Sequence, residues 1–148
     1  MKSFGAKIVS LQEIAKKHKQ LGTIVAASGG FDPLHPGHIS YIQESKKYGD
    51  TLVVIVNGDS FLCSKKGKSF LDLKTRCLIV SAIRGVDYVV PFEIKNDPTV
   101  NFALQKLKPH VFAKGGDRID EATIPEWRTC RKHSIKIITG PHTHIRIG

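Results

Sequence analysis

Ser28-Gly-Gly-Phe-Asp-Pro-Leu-His-Pro-Gly-His38 is a glycine-rich segment with two histidines. The apolar run before it, residues 23–27, is typical of a buried strand, and residues 39–48 have the apolar spacing of a helix. The glycines let a ligand approach the backbone closely, and Pro36 presets φ for a first helical turn. Free backbone N–H groups and the helix dipole at such a start favour an anion. The segment therefore predicts a phosphate-binding loop.

Length and composition indicate a single domain over residues 1–148, with residues 1–22 forming an N-terminal helix that packs on it. The 148 residues are 41% hydrophobic and 24% charged, which is ordinary for a soluble globular chain. No apolar run approaches the roughly 20 residues that cross a bilayer, and the N-terminus lacks the apolar core of a signal peptide. We therefore expect a cytoplasmic protein without a membrane partner.

Net charge and cysteine spacing indicate which partners and which metal or disulfide sites to expect. The net charge of +10 favours an anionic partner, either nucleic acid or a nucleoside triphosphate, although a solvated basic surface explains it equally well. The three cysteines, Cys63, Cys77 and Cys130, are widely separated and form no C-x-x-C pair. We expect small core residues rather than a zinc site or a disulfide framework.

Strand and helix patterns alternate along the whole chain. Strands are predicted at residues 23–28, 51–57, 87–91, 111–114 and 135–139. Two of the helix starts are predicted at Asp97, an N-cap followed by Pro98, and at Thr123, which has capping-box spacing to Glu126. This alternation predicts a Rossmann-like, three-layer α/β domain with a parallel five-stranded sheet. Ligands of such sheets bind outside the carboxyl ends of the strands. The loops at 28–38, 57–60 and 114–118 all follow strands, so we expect them to form one site.

The motif at 31–38, F-D-P-L-H-P-G-H, is neither a Walker A loop nor G-x-G-x-x-G. It resembles the H-x-G-H signature of the nucleotidyltransferase superfamily that includes class I aminoacyl-tRNA synthetases. The chain is too short for a synthetase and resembles the small cytidylyltransferase-like branch, above all the adenylyltransferase domain of bifunctional ADP-heptose synthases. The resemblance runs from residue 7 to about residue 138, through KKYGD at 46–50, VNGD at 56–59, VDYVVPF at 86–92 and KGGD at 114–117.

This resemblance implies a reaction. A sugar phosphate such as heptose 1-phosphate would receive a nucleoside monophosphate from a triphosphate, ATP rather than CTP, and pyrophosphate would leave. Mg²⁺ would bridge the triphosphate, since hard cations pair with phosphate oxygens, and the family implies a homodimer. Two alternatives stay open: a CTP-dependent cytidylyltransferase acting on glycerol 3-phosphate or another polyol phosphate, and a basic nucleic-acid-binding module with a degenerate site.

The resemblance also implies roles for individual residues. His35 and His38 would contact the triphosphate and stabilise the transition state, while Lys46 and Arg76 would reach phosphates. Asp32 would orient a histidine, contact substrate hydroxyls or help to place magnesium. The further nucleotide-binding residues are Gly29, Gly30, Phe31, Gly115, Gly116 and Asp117.

Two flanking segments complete the predicted site. Lys65, Lys66 and Lys68 lie in a predicted loop that could close over the substrate phosphate. Relatives usually end with a glycine followed by an S-T-T-like segment that holds phosphate, whereas this chain has Gly140-Pro-His-Thr-His-Ile-Arg-Ile-Gly148. Thr143 is then the remaining hydroxyl, with His142, His144 and Arg146 as substitute donors.

Overall fold

The computed structural model describes residues 5–58, 71–94, 97–115 and 120–140. The strands in these ranges are β1 (Lys7–Ile8), β2 (Ile24–Gly29), β3 (Thr51–Asn57), β4 (Tyr88–Phe92), β5 (Val111–Lys114) and β6 (Lys136–Thr139). The helices are α1 (Leu11–Lys16), α2 (Pro36–Lys46), α3 (Leu73–Ser81), α4 (Asn101–Leu107) and α5 (Trp127–Lys132), with a 3₁₀ turn at His18–Gln20.

The described strands form one parallel sheet in the order β1-β4-β3-β2-β5-β6. The predicted α/β class and parallel sheet are confirmed, but the sheet has six strands where five were expected. The additional strand is β1, which pairs Lys7 with Tyr88 and Ile8 with Val89 at one edge. Two residues are too few to produce a periodic apolar pattern, so the sequence carries no signal for it.

The central strands are apolar because helices cover both faces of the sheet. Every residue of β3 is buried, as expected for a strand with two covered faces. Alternate side chains enter two separate cores. On β2, Ala26 belongs to the core beneath α1, α4 and α5, and Ala27 to the core beneath α2 and α3.

Two helices begin later than predicted, because residues expected to cap them are engaged elsewhere. Asp97 was the predicted N-cap of α4, but its Oδ1 accepts the N–H of Thr99 at 2.9 Å and forms a local turn. Thr123 was expected to open α5, but its Oγ1 lies 3.1 Å from Oδ1 of Asp120. The side chain of Glu126, the predicted partner in that capping box, is instead buried at 3% exposure.

The strand order reverses between β2 and β5, and this point positions the site. β2 pairs with β3 as far as Gly29 opposite Val56, but with β5 only as far as Ala27 opposite Ala113. The two strands therefore separate at their carboxyl ends. A crevice outside this switch point is where parallel α/β sheets bind ligands.

The helices and the cysteines bear on two further predictions about the chain. None of the described helices has the length and hydropathy that a membrane span requires. Cys77 and Cys130 are buried free thiols, as expected, and Cys63 lies outside the described residues.

Candidate active site

His35 and His38 form a reciprocal cap at the start of α2. Nδ1 of His35 accepts the N–H of Gly37 at 3.1 Å, and Nδ1 of His38 accepts the N–H of His35 at 3.2 Å. The rings stack with centroids 3.7 Å apart. A neutral imidazole whose Nδ1 accepts carries its proton on Nε2. In this neutral form the cap therefore fixes both rings as Nε2–H donors.

The backbone amides of this helix start are used internally, which corrects the expectation of free N–H groups. Pro36 has no N–H, and the N–H of Gly37 donates to the His35 ring. The N–H groups of His38 and Ile39 donate to the carbonyl of His35, at 2.9 and 3.2 Å. Capacity to bind an anion at this turn therefore resides in the imidazole nitrogens rather than in the first backbone amides.

The loop before the histidines is held by packing. Phe31 has φ +53 and is buried, and its ring meets that of His38 edge-on with centroids 5.3 Å apart. A Cβ at Gly29 would lie 2.8 Å from Cζ of Phe31, so glycine is required there by the aromatic ring. Asp32 is also buried, and its Oδ1 accepts the N–H of Leu71 at 2.9 Å. Phe31 therefore packs directly against the ring of His38.

Arg76 joins three segments at the carboxyl edge of the sheet. It is 1% exposed. Its Nε donates to the carbonyl of Leu71 at 3.0 Å, and its Nη1 donates to the carbonyls of Gly30 and Asn57. The structure therefore brings Arg76 to the histidine loop, where its guanidinium fixes the ends of β2 and β3 relative to α3.

Lys46 lies away from the histidine loop. Its predicted position beside the phosphates is therefore wrong. Lys46 ends α2, and its Nζ lies 2.6 Å from Oδ2 of Asp87 and 2.7 Å from the carbonyl of Asp50. Asp50 and Asp87 immediately precede β3 and β4, so the ion pair lies at the amino edge of the sheet. Lys46 lies eight positions after His38, which corresponds to about 12 Å of helix.

A buried ion pair that the sequence analysis did not predict lies at the end of β5. Nζ of Lys114 is 3.6 Å from Oε1 of Glu126, and the two side chains are 13% and 4% exposed. Oε2 of Glu126 accepts the N–H of Val100 at 3.1 Å, just before α4. The pair ties the strand that leads into half-buried Gly115 to the layer of α4 and α5. In the K-G-G-D motif the glycines and Asp117 carry the predicted nucleotide contact, and Lys114 has no separate signal in the sequence.

Tyr41 is a second residue that sequence reasoning missed. The side chain is 5% exposed, and its hydroxyl donates to the carbonyl of Ala113 at 2.6 Å and accepts the N–H of Ser28 at 3.1 Å. Burial raises the pKa of Tyr41 far above its usual value, so the hydroxyl stays protonated. Its only sequence signal was an apolar position one turn after His38.

Part of the predicted site lies outside the described residues. This part comprises Lys65, Lys66, Lys68, Gly116, Asp117 and Thr143, together with His142, His144 and Arg146. Among the residues that the structure does describe, it brings together Gly29, Gly30, Phe31, Asp32, His35, His38 and Arg76 at one end of the crevice. Gly115 follows β5 on the crevice's other side.

Comparison with known proteins defines the class. The model of the cytidylyltransferase-like family matches residues 26–141, so the chain belongs to this family of nucleotidyltransferases. The resemblance inferred from the H-x-G-H and K-G-G-D motifs is thereby confirmed.

Within the family, the chain is similar to two proteins named bifunctional protein HldE. That of Aliarcobacter butzleri is 39% identical over 136 residues, which are 90% of this chain and 28% of the relative. That of Sulfurimonas denitrificans is 37% identical over 117 residues, 77% of this chain and 24% of the relative. The chain thus spans about a quarter of the length of the curated relatives it matches.

Two solved structures share the fold. The lipopolysaccharide core biosynthesis protein of Thermoplasma volcanium is 32% identical with a TM-score of 0.69, and the match covers 80% of this chain and 95% of that one. Pantoate-beta-alanine ligase of Francisella tularensis, solved with a β,γ ATP compound and beta-alanine, has a TM-score of 0.60 at 14% identity. That match covers 90% of this chain and 66% of the ligase, and it supports the fold alone.

Proposed function

We propose that this chain transfers a nucleoside monophosphate, AMP in preference to CMP, to a sugar phosphate of the heptose 1-phosphate type and releases pyrophosphate. Similarity to the HldE proteins and to a protein of lipopolysaccharide core biosynthesis supports the choice of a sugar phosphate. The choice of ATP rests on the resemblance of the motifs to the adenylyltransferase domain of ADP-heptose synthases.

The observation that carries the proposal is the reciprocal cap of His35 and His38. Both rings are preset as Nε2–H donors at the start of α2, next to the crevice between β2 and β5. Donors fixed before the substrate arrives stabilise developing charge without reorganisation. Because an acceptor phosphate is already ionised near neutral pH, the reaction needs no histidine to remove a proton.

The proposed chemistry is a displacement at the α-phosphorus. A phosphate oxygen of the acceptor bonds to the α-phosphorus while the bond to the pyrophosphate oxygen breaks. Reactions of this type depend on positioning and charge stabilisation more than on covalent participation by the protein. His35 and His38 would donate to oxygens of the triphosphate, and Arg76 would act by holding the loop that carries them.

The donor set near the loop suits magnesium that arrives with the nucleotide. The described residues contain no cluster of three or more His, Cys, Asp or Glu side chains with the spacing of a metal site. Asp32 is the carboxylate of the loop itself, and one of its oxygens accepts a backbone N–H. Mg²⁺ commonly keeps several waters and takes few protein ligands when phosphates hold it. When bound, it would neutralise triphosphate charge, with Asp32 as the carboxylate of the loop that would hold it.

The test is pyrophosphate release with ATP, CTP, GTP or UTP and Mg²⁺, each against a panel of aldose 1-phosphates and polyol phosphates. We expect turnover with ATP and a heptose 1-phosphate. Preference for CTP with glycerol 3-phosphate would replace the proposed substrates by those of a cytidylyltransferase. If no pair releases pyrophosphate, the proposed activity is wrong, and binding of nucleic acid with strong salt dependence would then favour the non-enzymatic alternative.

A further inference from the structure

The hydroxyl of Tyr41 lies between the two strands that border the crevice. It accepts from the N–H of Ser28 at 3.1 Å and donates to the carbonyl of Ala113 at 2.6 Å. Ser28 is the first residue of β2 beyond its pairing with β5, and Ala113 is the last residue of β5 within that pairing. One side-chain atom thus bridges the strands at the place where they separate.

The bridge connects both strands to one side-chain atom of α2. Here each backbone group lies at its own hydrogen-bond distance from the intervening hydroxyl. The phenol oxygen therefore ties the ends of both strands to α2 and supplies a hydrogen-bond partner to the buried carbonyl of Ala113 and to the half-buried N–H of Ser28.

The same side chain belongs to the helix that carries the histidines. Tyr41 follows His38 by three residues on α2, so the two lie on the same face about one turn apart. The bonds of Tyr41 to β2 and β5 therefore fix the first turn of α2 relative to both walls of the crevice.

We propose that Tyr41 is a positioning residue for the nucleotide: its hydroxyl holds the crevice between β2 and β5 open and sets the distance from the histidine pair to Gly115. The inference rests on the proposed function, because it assigns the crevice to the nucleotide rather than to the acceptor. Tyr41 acts through the backbone and has no direct contact with substrate.

The test is Tyr41→Phe, which keeps the ring and removes the bridging oxygen. Two backbone groups then lack their partner, or the strands close to satisfy each other. Either change should raise KM for the nucleotide by about ten- to a hundredfold, the size that follows from losing a buried hydrogen-bond partner. KM for the acceptor should stay within about twofold. Activity is measured well below the melting temperature of each variant, so that every sample is folded.

Tyr48→Phe is the matched control, since Tyr48 is 40% exposed and lies beyond the end of α2. It should keep wild-type kinetic constants. Tyr41→Phe with a lower melting temperature but an unchanged KM for the nucleotide would overturn the inference. Equal shifts in both KM values would overturn it as well, because they indicate general damage to the site.

A second measurement separates this inference from the proposed function. Hydrogen exchange of the Ser28 amide needs no substrate and should be at least about tenfold faster in Tyr41→Phe. The amide of Val53, within β3, serves as the internal reference. If the wild type turns over no substrate pair, the proposed function fails; unchanged exchange at Ser28 would still overturn the bridge on its own.

Discussion

His35 and His38 each perform two tasks with different atoms of one ring. Nδ1 accepts a backbone N–H of the helix start, and Nε2 carries the proton that can be donated to an anion. An asparagine side chain reproduces the first task and not the second, because its Oδ1 can accept at the position of Nδ1 but its amide does not reach as far as Nε2. The two tasks can therefore be separated by substitution.

We expect His38→Asn to keep the fold and to lose activity. The melting temperature should stay close to the wild-type value, since the N–H of His35 retains an acceptor. Turnover should fall by about 10²–10³, the usual effect of removing one donor to a developing charge. Pyrophosphate release and thermal unfolding of the same preparations give both quantities.

His133→Asn is the control for this variant, since His133 ends α5, at the amino edge of the sheet and away from the crevice. It should leave turnover unchanged. A His38→Asn protein with wild-type turnover would remove the donor role assigned to Nε2.

At the scale of elements, the buried pair of Lys114 and Glu126 joins β5 to the helices behind it. Glu126 uses one oxygen for the N–H of Val100 and the other for Lys114. Removing one partner of a buried pair leaves an uncompensated charge, which is costlier than removing both.

Lys114→Met should therefore lower the free energy of unfolding by about 3 kcal/mol, and the double variant Lys114→Met/Glu126→Gln should lose less than the sum of its single changes. Denaturant unfolding measures both. Lys47→Met is the control, since Lys47 is 67% exposed in its 2.8 Å pair with Glu44 and should change stability by less than about 1 kcal/mol. Additive effects of Lys114→Met and Glu126→Gln would show that the two charges do not interact.

The elements were predictable from sequence to the extent that local patterns determine them. The uniform burial of β3 and the glycine-rich turn before α2 carry strong local signals, and the α/β order follows from them. The ion pairs of Lys46 and Glu126 have no local sequence signal of comparable strength. A lysine at a helix end and a glutamate in a capping-box spacing have ordinary local explanations, and only the packing of β4, β5 and α4 decides their partners. The same holds for Tyr41, whose hydroxyl finds a partner 72 residues away.

At the scale of the molecule, the sheet separates two cores, and each contains one of the two cysteines that the structure describes. Cys77 lies in the core beneath α2 and α3, and Cys130 in the core beneath α1, α4 and α5. Burial raises the pKa of Cys77 to about 11 and that of Cys130 to about 12. Both groups therefore stay protonated and inert in the folded protein near neutral pH.

If the domain unfolds as one unit, both thiols should become reactive with the same free energy of opening. The measurement is alkylation at about pH 8 across a denaturant series, in a Cys63→Ser background so that only the two buried thiols report. Rates for Cys77 and Cys130 should fall on one denaturant dependence that matches unfolding followed by circular dichroism. Earlier labelling of either thiol would instead show that one face of the sheet opens independently.

The reciprocal cap of His35 and His38 determines which substitutions selection for stability would tolerate. The atoms that cap α2 and the atoms that would bind phosphate belong to the same two rings. Most substitutions at His35 or His38 should therefore lower both the stability of the helix start and the turnover. Selection for a stable domain alone would retain a hydrogen-bond acceptor at both positions, but not the Nε2–H donor that the proposed chemistry requires. A homologue with asparagine at either position would therefore keep the start of the helix and lack the donor, so that its fold alone would not reveal whether it retains the reaction.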